Sequence, residues 1–398
     1  MQTTNLASSI VGHAKTQADF ISAKHKIRYV ESNNIIPGQF ARIKFPTYGN
    51  QFLDCRSIFA CFNLTGLSDD PDAMLDGSTA QNLMSHIRVI SGTSVLLDIT
   101  NADLLFQSLY DINNEVNTSD AQRYEVGDST DANKKMWFAL ASPGRQYIVK
   151  LCPKGSLLNM DALLPVGNSS ELSVEITFNT AALSVVSSDS DATWVISRFE
   201  VHCDYVSSHV ISQWFANNPL QISTTNYDYR YNSIVSTTQA QFRYSSALSS
   251  LDKLFVILRD GSTCSLLATP DKARVSISGA NLVSYNLLVN STRWYEDDIL
   301  SCYEQFEEFR DAFPAVIHSK FYDELYWTIS NRFGINFESA PAAFHDWLLS
   351  GQNTAKQNSD IVLQVTFSSP QTLRADAFML SSVTISLPRN GGDLMLTF

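Results

Sequence analysis

The residues of this chain that could perform chemistry are few, and one group of them is contiguous. His202, Cys203 and Asp204 are of the types that bind a metal ion or form a nucleophile with its base. The surrounding residues alternate between apolar and polar, which predicts a strand, and successive side chains of a strand point to opposite faces. We therefore expect His202 and Cys203 to point apart, and we predict no site here.

The sequence contains none of the common catalytic motifs. The remaining histidines are isolated, at His13, His25, His86, His209, His318 and His345. There is no GxxxxGKS/T phosphate loop, no GxGxxG dinucleotide turn, no HExxH zinc motif and no GxSxG nucleophile elbow. We predict that the chain is not an enzyme and that it has no catalytic, cofactor-binding or metal-binding residues.

One dense group of carboxylates could bind a divalent cation or meet basic groups of a neighbouring molecule. It comprises Glu296, Asp297, Asp298, Glu304, Glu307, Glu308 and Asp311. A solvated helix face is the simpler interpretation of such a group, and it is favoured. Asp69, Asp70 and Asp72 lie beside Pro71 and are predicted to be turn residues.

Composition indicates a globular protein without a general nucleic-acid-binding surface. The 398 residues are 44% hydrophobic and 17% charged, and the net charge is −12. The first thirty residues differ, because Lys15, Lys24, Lys26 and Arg28 accompany one acid, Asp19. We predict a polar arm that is either solvated or in contact with nucleic acid or an acidic neighbour.

Cysteine use and the first residues indicate folding in a reducing compartment. The six cysteines form no CxxC pair and are scattered, at Cys55, Cys61, Cys152, Cys203, Cys264 and Cys302. Residues 1–5 lack the features of a signal peptide, and no apolar run approaches the roughly 18 residues that span a membrane. We expect synthesis in the cytoplasm and no transmembrane segment.

Strand patterns begin at position 27, and helices follow at a few places. Residues 39–45 alternate strictly between apolar and polar. Thr100 is the predicted cap of a first helix, with Asp103 three residues later. The apolar face of this helix is predicted to comprise Leu105, Leu109 and Ile112.

Two further helices are predicted in the second half. One runs from about residue 296 to residue 313 with acids in its first turn. Its apolar stripe is predicted to comprise Ile299, Tyr303, Phe306 and Phe313. The other, at residues 207–218, is a linking helix packed on both domains, with helical spacing of Val210, Ile211, Trp214 and Phe215.

The second half repeats the plan of the first. Phe59 matches Phe255 at an offset of 196, and residues 87–93 match residues 286–292 at an offset of 199. Residues 170–178 match residues 359–367 at an offset of 189. The closing strands are matched through Phe199, Val201 and Cys203 against Val383, Ile385 and Leu387. Ordered blocks at this spacing predict a duplicated domain, since the period is too long for a solenoid.

The two halves differ most in their long loops. Residues 113–135 are polar and are predicted to be an exposed loop. Residues 314–357 are aromatic and form either an interface or a local core, with Phe321, Tyr322, Tyr326, Trp327, Phe333, Phe337, Phe344 and Trp347. We predict an N-terminal arm at residues 1–26, a first domain at 27–206 and a second at 207–398.

Three stretches carry a resemblance to a known family. They are residues 50–59, residues 80–99 with the helix that follows, and residues 155–178 with their Leu163-Leu164-Pro165. In this pattern the chain resembles the double jelly-roll major capsid proteins of tailless icosahedral DNA viruses, in the branch of virophages, transposons and bacteriophages. It lacks the aromatic, Arg-rich N-terminal motif of the giant-virus members.

The resemblance implies an all-β fold of two tandem eight-stranded antiparallel jelly rolls, with short helices in loops. The residue patterns agree with this fold, because each half is long enough for one such sandwich. The resemblance further implies a homotrimer that serves as a pseudo-hexameric capsomer of an icosahedral virion assembled inside the host cell. Penton and minor capsid proteins are the other implied partners, with nucleic-acid or inner-layer contact through the arm.

Two alternative functions stay open at this point. A secreted double-jelly-roll glycan hydrolase or amidase would need convergent carboxylates in a cleft between the barrels. A carbohydrate-binding adhesin would expose aromatic residues on one sheet face, and Trp137 and Phe138 are its best candidates. Both alternatives predict a monomer or a small oligomer, whereas a capsid protein predicts larger arrays.

Overall fold

The computed structural model describes the greater part of the chain. The described segments are residues 23–31, 33–45, 51–70, 73–75, 80–113, 145–167, 169–218, 220–260, 282–300, 302–314, 332–339, 351–355, 360–387 and 392–397.

The first half of the chain forms a sandwich that we call barrel 1. Its strands are β1 Ala23–Val30, β2 Phe40–Phe45, β3 Gln51–Leu67, β4 Met74–Leu75, β5 Met84–Ser91, β6 Ser94–Thr100, β7 Arg145–Val149, β8 Leu163–Leu164, β9 Leu172–Phe178, β10 Val185–Val186 and β11 Thr193–Ser207. Helix α1 spans Ala102–Asn113, and 3-10 turns span Ala80–Leu83 and Ala181–Leu183. Helix α2, His209–Asn217, follows and confirms the predicted linking helix, whose packing on both domains stays a prediction.

The strand order in barrel 1 is that of a jelly roll. One sheet has the order β1-β11-β3-β7 and the other has the order β2-β9-β5-β6, all antiparallel. If these eight strands are numbered along the chain, the two sheets have the orders 1-8-3-6 and 2-7-4-5. These are the strand orders of a jelly roll. Short strands β4 and β10 pair with each other, and β8 extends the first sheet at β3.

The second half forms barrel 2 with the same order of pairings. Its strands are β12 Leu220–Ser245, β13 Leu251–Asp260, β14 Leu282–Val289, β15 Thr292–Arg293, β16 Arg332–Asn336, β17 Asp360–Leu387 and β18 Met395–Thr397. Helix α3 spans Cys302–Ala312. The two sheets of barrel 2 correspond to the two sheets of barrel 1. The order β12-β17-β13-β16 matches β1-β11-β3-β7, and the order β12-β17-β14-β15 matches β2-β9-β5-β6. The predicted tandem jelly rolls are therefore confirmed.

Barrel 2 differs from barrel 1 because two of its strands run through both sheets. The first part of β12 pairs with the last part of β17, and the last part of β12 pairs with the first part of β17. Between these parts the ladder is interrupted at a corner, where Ser236 has a φ of 49° and Val235 is exposed. Pro370 lies at the same corner of β17, where its missing N–H breaks no ladder bond.

Each barrel has its own apolar interior, built by alternation along the strands. In β2 the buried residues are Ala41, Ile43 and Phe45, as the strict alternation predicted. The interior of barrel 1 includes Phe62, Ile87, Val89, Tyr147, Val174, Ile176, Phe178, Trp194, Phe199 and Val201. The interior of barrel 2 includes Phe242, Leu254, Val256, Leu258, Leu287, Phe333, Ile335, Leu363, Ala377 and Met379.

The turn between the fourth and fifth strands is repeated, and it corrects one predicted offset. Ser91 and Val289 end the fourth strands, and the two-residue turns begin at Gly92 and Asn290. These two turn residues both have left-handed backbone, with φ of 56° and 55°. The structural offset is thus 198 rather than the predicted 199, and a one-residue change in a strand reverses its inward and outward faces.

The closing strands also match differently from the prediction. Val201 of β11 lies opposite Ala60, and Ala377 of β17 lies opposite Val256. Ala60 and Val256 are related by the predicted offset of 196, so Val201 corresponds to Ala377 at an offset of 176.

The predicted match of residues 199–203 with residues 383–387 is therefore wrong. Ile385 and Leu387 do not belong to the interior of barrel 2, but to the apolar cluster that is centred on barrel 1. Alternation of apolar residues cannot distinguish two faces that are both buried, which is why the sequence pattern misled here.

The helices also depart from prediction at their ends. Thr100 is the last residue of β6 and does not cap α1, which begins at Ala102 after Asn101 with a φ of 51°. α3 begins at Cys302 instead of residue 296, because the backbone of Ile299 pairs with that of Tyr285 and keeps the preceding segment extended. The predicted α3 stripe is also wrong at Ile299, which precedes the helix.

The remaining stripe and the boundary of the arm need correction too. Phe306 and Phe313 are partly buried and pack on the apolar cluster centred on barrel 1, as predicted. Tyr303 is 68% exposed, and the buried residues of α3 are Gln305, Phe309 and Ala312. β1 begins at Ala23, so residues 23–26 of the predicted arm pair with β11.

Part of the aromatic insertion at residues 314–357 is a core strand rather than a loop. β16 brings Phe333 into the interior of barrel 2, and Phe337 follows it there. For these two residues the local-core interpretation is correct. The other predicted aromatic residues of the insertion lie outside the described residues. Residues 114–144, which include all of the predicted polar loop except residue 113, also lie outside them.

Helix α3 is held on barrel 2 by a buried aromatic contact that a substitution can test. Phe309 is fully buried, with its ring centroid 5.9 Å from that of Phe255. We expect Phe309→Ala to lower the free energy of unfolding in urea by about 3–5 kcal/mol, because it leaves a cavity. Phe40→Ala, at a phenylalanine that is 70% exposed, is the control and should change it by about 0.5 kcal/mol or less. Equal losses in the two variants would contradict this account of α3.

Candidate assembly surfaces

The structure separates the His202-Cys203-Asp204 group, as alternation predicted. His202 lies on the outer face of the sheet, where its ring stacks on Phe59 with centroids 4.9 Å apart. Cys203 points into barrel 1 and is 2% exposed, and burial raises the pKa of its thiol to about 12. Cys55, Cys61 and Cys152 are also buried and unpaired. A shared site at this position is not formed.

His202 instead belongs to an ion cluster around Glu200 on the outer face of barrel 1. Arg198 Nε donates to Glu200 Oε1 at 2.6 Å, and His202 Nε2 lies 3.1 Å from Oε2. Arg28 Nη1 of β1 is 3.6 Å from Glu200 Oε1. Burial would raise the pKa of Glu200, but the hydrogen bonds from Arg198 and His202 and the charges of Arg198 and Arg28 outweigh it and hold the pKa below its ordinary value.

Barrel 2 carries a related cluster around Asp376, which is completely buried. Arg259 Nε donates to Asp376 Oδ2 at 2.7 Å, and Arg374 Nε donates to Oδ1 at 2.9 Å. The hydroxyl of Tyr229 also donates to Asp376, and burial together with the adjacent carboxylate raises the pKa of that phenol. The guanidinium of Arg374 lies 4.2 Å from the ring centre of Tyr231.

The two clusters occupy equivalent positions. Residues 198–200 and 374–376 each have the pattern Arg-x-acid, and the acids Glu200 and Asp376 are related by the structural offset of 176. Arg198 lies in a β-bulge of its strand, where its φ is 54°. In both, the arginine bridges the acid two residues later on the same strand face. This repeated triplet was a sequence signal for the correct alignment of the closing strands, and sequence reasoning missed it.

The equivalent faces differ in what covers them. In barrel 1 the Arg28 and Arg198 side chains are 52% and 60% exposed. In barrel 2 the Arg374 side chain is 18% exposed, and α3 covers the neighbouring part of the sheet by packing Phe313 5.4 Å from Phe255. The outer face of barrel 2 is therefore an internal surface of the chain, whereas Arg28 and Arg198 on the equivalent face of barrel 1 are exposed.

The two barrels contact each other along this outer face of barrel 2. Tyr227 of β12 is buried in the apolar cluster centred on barrel 1. The backbone N–H of Thr225 donates to Gly155 O at 3.0 Å, and Thr224 Oγ1 donates to the same oxygen at 3.2 Å. Strands β12 and β18 both lie beside β6 of barrel 1. The contact thus joins the outer sheet face of one barrel to the fifth strand of the other.

Asp393, just before β18 of barrel 2, stabilises this contact through hydrogen bonds to barrel 1. Its Oδ2 accepts hydrogen bonds from the backbone N–H of Thr93 at 3.1 Å and from Thr93 Oγ1 at 2.9 Å. Hydrogen bonds from the Ser170 hydroxyl and from Thr93 lower the pKa of the carboxyl. A Cβ at Gly92 would collide with the Asp393 carboxylate, so a larger residue at this left-handed turn position would displace that carboxylate from Thr93.

The backbone on either side of Asp393 strengthens the same contact. Ser170 N donates to Gly392 O at 2.7 Å, and Leu394 N donates to Ser91 Oγ at 3.0 Å. Leu394 is completely buried. Sequence reasoning missed this segment, although a Gly-Gly-Asp run before an apolar stretch was a usable signal of a tight, polar docking turn.

The predicted acidic group is largely engaged with other protein groups. Asp298 accepts a hydrogen bond from Asn286 Nδ2 at 2.9 Å and pairs with Arg293. The others with recorded partners are Glu304 with Leu300 N, Glu307 with Arg310, Glu308 with Tyr295 and Asp311 with Asn336. Glu296 and Asp297 are exposed. Within the segments that the structure describes, no three His, Cys, Asp or Glu residues are grouped to hold a metal ion.

The predicted turn acids and the adhesin candidates have different outcomes. Asp70 accepts hydrogen bonds from Ser187 and Ser188, so it joins two loops of barrel 1. Trp137 and Phe138 lie outside the described residues.

Among the helices of the described segments, none has the length and apolarity needed to cross a membrane.

Comparison with known proteins finds similarity in structure. No family model matches the sequence, and no curated protein does either. PBCV-1 VP54, which has been fitted into a reconstruction of the virophage Sputnik, is 13% identical with a TM-score of 0.61, covering 94% of this chain and 96% of that one. The mavirus major capsid protein is 11% identical with a TM-score of 0.54, covering 95% and 90%. The Faustovirus major capsid protein is 9% identical with a TM-score of 0.53, covering 91% and 90%.

The chain is a double jelly roll. The match extends over both barrels, because at least nine tenths of this chain is covered in each comparison. At these identities the similarity is one of fold. In this double jelly roll, one outer sheet face is buried between the barrels, and arginines are exposed on the equivalent face of barrel 1.

The Asp393 contact predicts a pH-dependent contribution to stability. Because the folded-state pKa of Asp393 is lowered, its contribution is complete above the ordinary aspartate pKa and is lost as the pH falls through the folded value. We expect Asp393→Asn to lower the Tm at neutral pH, with the difference from wild type shrinking as the pH falls below about 4. Asp161→Asn, at a side chain that is 81% exposed, is the control. A difference that stays constant with pH would contradict this role of the carboxylate.

Proposed function

We propose that this double jelly roll is a structural major capsid protein that acts by self-assembly and has no catalytic role. The observation that carries the proposal is the presence of two barrels with one strand order in a single chain, over nearly the full length of solved major capsid proteins. Trimers would then present six similar barrels and serve as pseudo-hexameric capsomers of an icosahedral virion. The hydrolase and adhesin alternatives receive no support from these comparisons.

The strand layout is physically suited to such a role. Long antiparallel ladders pair the backbone N–H and C=O groups of the strands in both barrels. The unit is therefore rigid and presents defined faces. A closed shell needs a unit whose contacts are self-complementary under symmetry. Two equivalent barrels in one chain allow three chains to approach sixfold packing.

Several finer features belong to the same proposal. The domains are residues 23–206 and 207–398, with residues 1–22 as an arm ahead of β1. Penton and minor capsid proteins are the further partners, and the arm contacts the inner layer or nucleic acid. Among the Lys, Arg, Asp and Glu residues, this arm has only Lys15 and Asp19, so its contacts would be mainly polar.

Assembly of the purified full-length chain tests the function. We expect light scattering to give the mass of a trimer, and negative-stain microscopy to show six-lobed particles that grow into sheets or shells as salt and pH are varied. A chain that stays monomeric under all conditions would refute the capsid role.

The arm can be tested separately. Deleting residues 1–22 should leave the Tm unchanged and impair assembly beyond the trimer, because the deletion stops before β1. Deleting residues 1–26 is the contrasting variant, since it removes half of an edge strand and should lower the Tm. Normal assembly of the shorter deletion would show that the arm has no part in the shell.

A further inference from the structure

The outer face of the β2-β9-β5-β6 sheet of barrel 1 carries a row of charges that alternate in sign. The four residues are direct neighbours across the four strands, in the order Arg42, Glu175, Arg88 and Asp98. Arg42 Nε is 3.6 Å from Glu175 Oε1, and Arg88 Nη1 is 3.7 Å from Glu175 Oε2. Arg88 Nε is 3.7 Å from Asp98 Oδ2. We call these four residues the charged row.

The other charged groups on this face leave it balanced. Lys44 Nζ pairs with Glu171 Oε1 at 2.9 Å, so this pair and the charged row hold three basic and three acidic residues. His86 Nε2 lies 2.5 Å from Asp98 Oδ1. The hydrogen bond from His86 and the charges of His86 and Arg88 lower the pKa of Asp98 against the effect of burial, so Asp98 is ionised at neutral pH.

The side chains of the charged row can still bind groups from outside the chain. They are between 26% and 48% exposed. Their three ion-pair distances of 3.6 to 3.7 Å are longer than a hydrogen bond. A second set of guanidinium and carboxylate groups that faced this row could therefore form charge-assisted hydrogen bonds with it.

Barrel 2 shows that the jelly roll does not need charges at these positions. Glu175 corresponds to Gln364 at the offset of 189, and Arg88 corresponds to Asn286 at the offset of 198. Gln241 lies on the other side of Gln364 and completes a row of three amides. The equivalent strands thus fold with neutral side chains, and the alternating charges are a property of barrel 1 alone.

The order of the charges is self-complementary under one particular twofold rotation. If the axis lies between two such faces and runs parallel to their strands, Arg42 faces the partner's Asp98 and Glu175 faces the partner's Arg88. An axis perpendicular to the strands would instead place each residue over its own copy. A twofold contact uses the same patch of both molecules, so the patch must complement itself. The charged row does so in the first orientation and repels in the second.

We infer that copies of this chain from two different trimers bind face to face through the charged row, about a twofold axis parallel to the strands. This inference rests on the proposed function, because it concerns how one trimer joins another. Phe40, which is 70% exposed, lies on the same face in the row that continues through Thr177 and His86 to Thr100. The same rotation places Phe40 over the partner's Thr100, so the contact also buries apolar surface.

Reversing the whole charged row in the full-length chain tests this contact. The variant Arg42→Glu/Glu175→Arg/Arg88→Glu/Asp98→Arg keeps the alternation within the chain, so its trimers should bind one another as wild-type trimers do. Wild-type and reversed trimers should bind each other at least about tenfold more weakly, because like charges then meet at every position. Fluorescence energy transfer between separately labelled trimers measures both affinities. Binding between wild-type trimers should weaken as salt is raised.

The matched control reverses an ion pair on another part of barrel 1. Arg56 and Asp161 are 3.4 Å apart and are 73% and 81% exposed. Trimers of Arg56→Asp/Asp161→Arg should bind wild-type trimers with unchanged affinity. Sedimentation velocity and near-ultraviolet circular dichroism report whether each variant is folded and trimeric.

A second variant copies the amides of barrel 2 into barrel 1. Arg42→Gln/Glu175→Gln/Arg88→Asn should fold and form trimers, because the equivalent strands of barrel 2 carry these amides. Its trimers should bind one another about tenfold more weakly than wild-type trimers do. Unchanged binding between these trimers, or equal or preferred binding between wild-type and reversed trimers, would overturn the inference. A wild-type chain that stays monomeric would overturn the proposed function itself.

Discussion

Backbone pairing along β17 is the constraint on which barrel 2 and its junction with barrel 1 depend. This strand of 28 residues pairs with β12, β13, β14 and β18, and it takes part in both sheets of the sandwich. Because side chains alternate along a strand, the pairing register assigns Ala377 to the interior and Phe378 to the outer face. The outer face then becomes the surface that barrel 1 covers.

One strand order with two different outer faces explains how a duplicated chain can have distinct internal and external contacts. The acids of the Arg-x-acid triplets at 198–200 and 374–376 occupy equivalent positions in the two barrels. Around them, barrel 2 has aromatic residues that are desolvated inside the chain, and barrel 1 has Lys26 and Arg28 in solvent. An apolar contact suits a permanent junction, whereas charged contacts suit association that depends on conditions.

The sequence predicted much of the architecture because long alternating strands and repeated blocks carry strong periodic signals. Residues 170–178 and 359–367 were matched in the correct register, since Leu172 lies opposite Ser91 just as Ile361 lies opposite Val289. The neighbouring block was displaced by one residue, because Gly92 and Asn290 share a left-handed turn conformation but no side-chain similarity. The site was predicted less well, since its contacts join residues that lie far apart in sequence.

By itself the sequence determined the fold class, the duplication, the helices and the absence of common catalytic motifs, because composition and periodicity are local properties of the chain. Tertiary structure decided which of two buried faces belongs to which core, where Ile385 lies, and that Asp393 docks on Thr93 some three hundred residues away. Those outcomes depend on register and on the approach of two barrels. No local pattern encodes them, because a strand that is apolar on both sides gives the same signal in either arrangement.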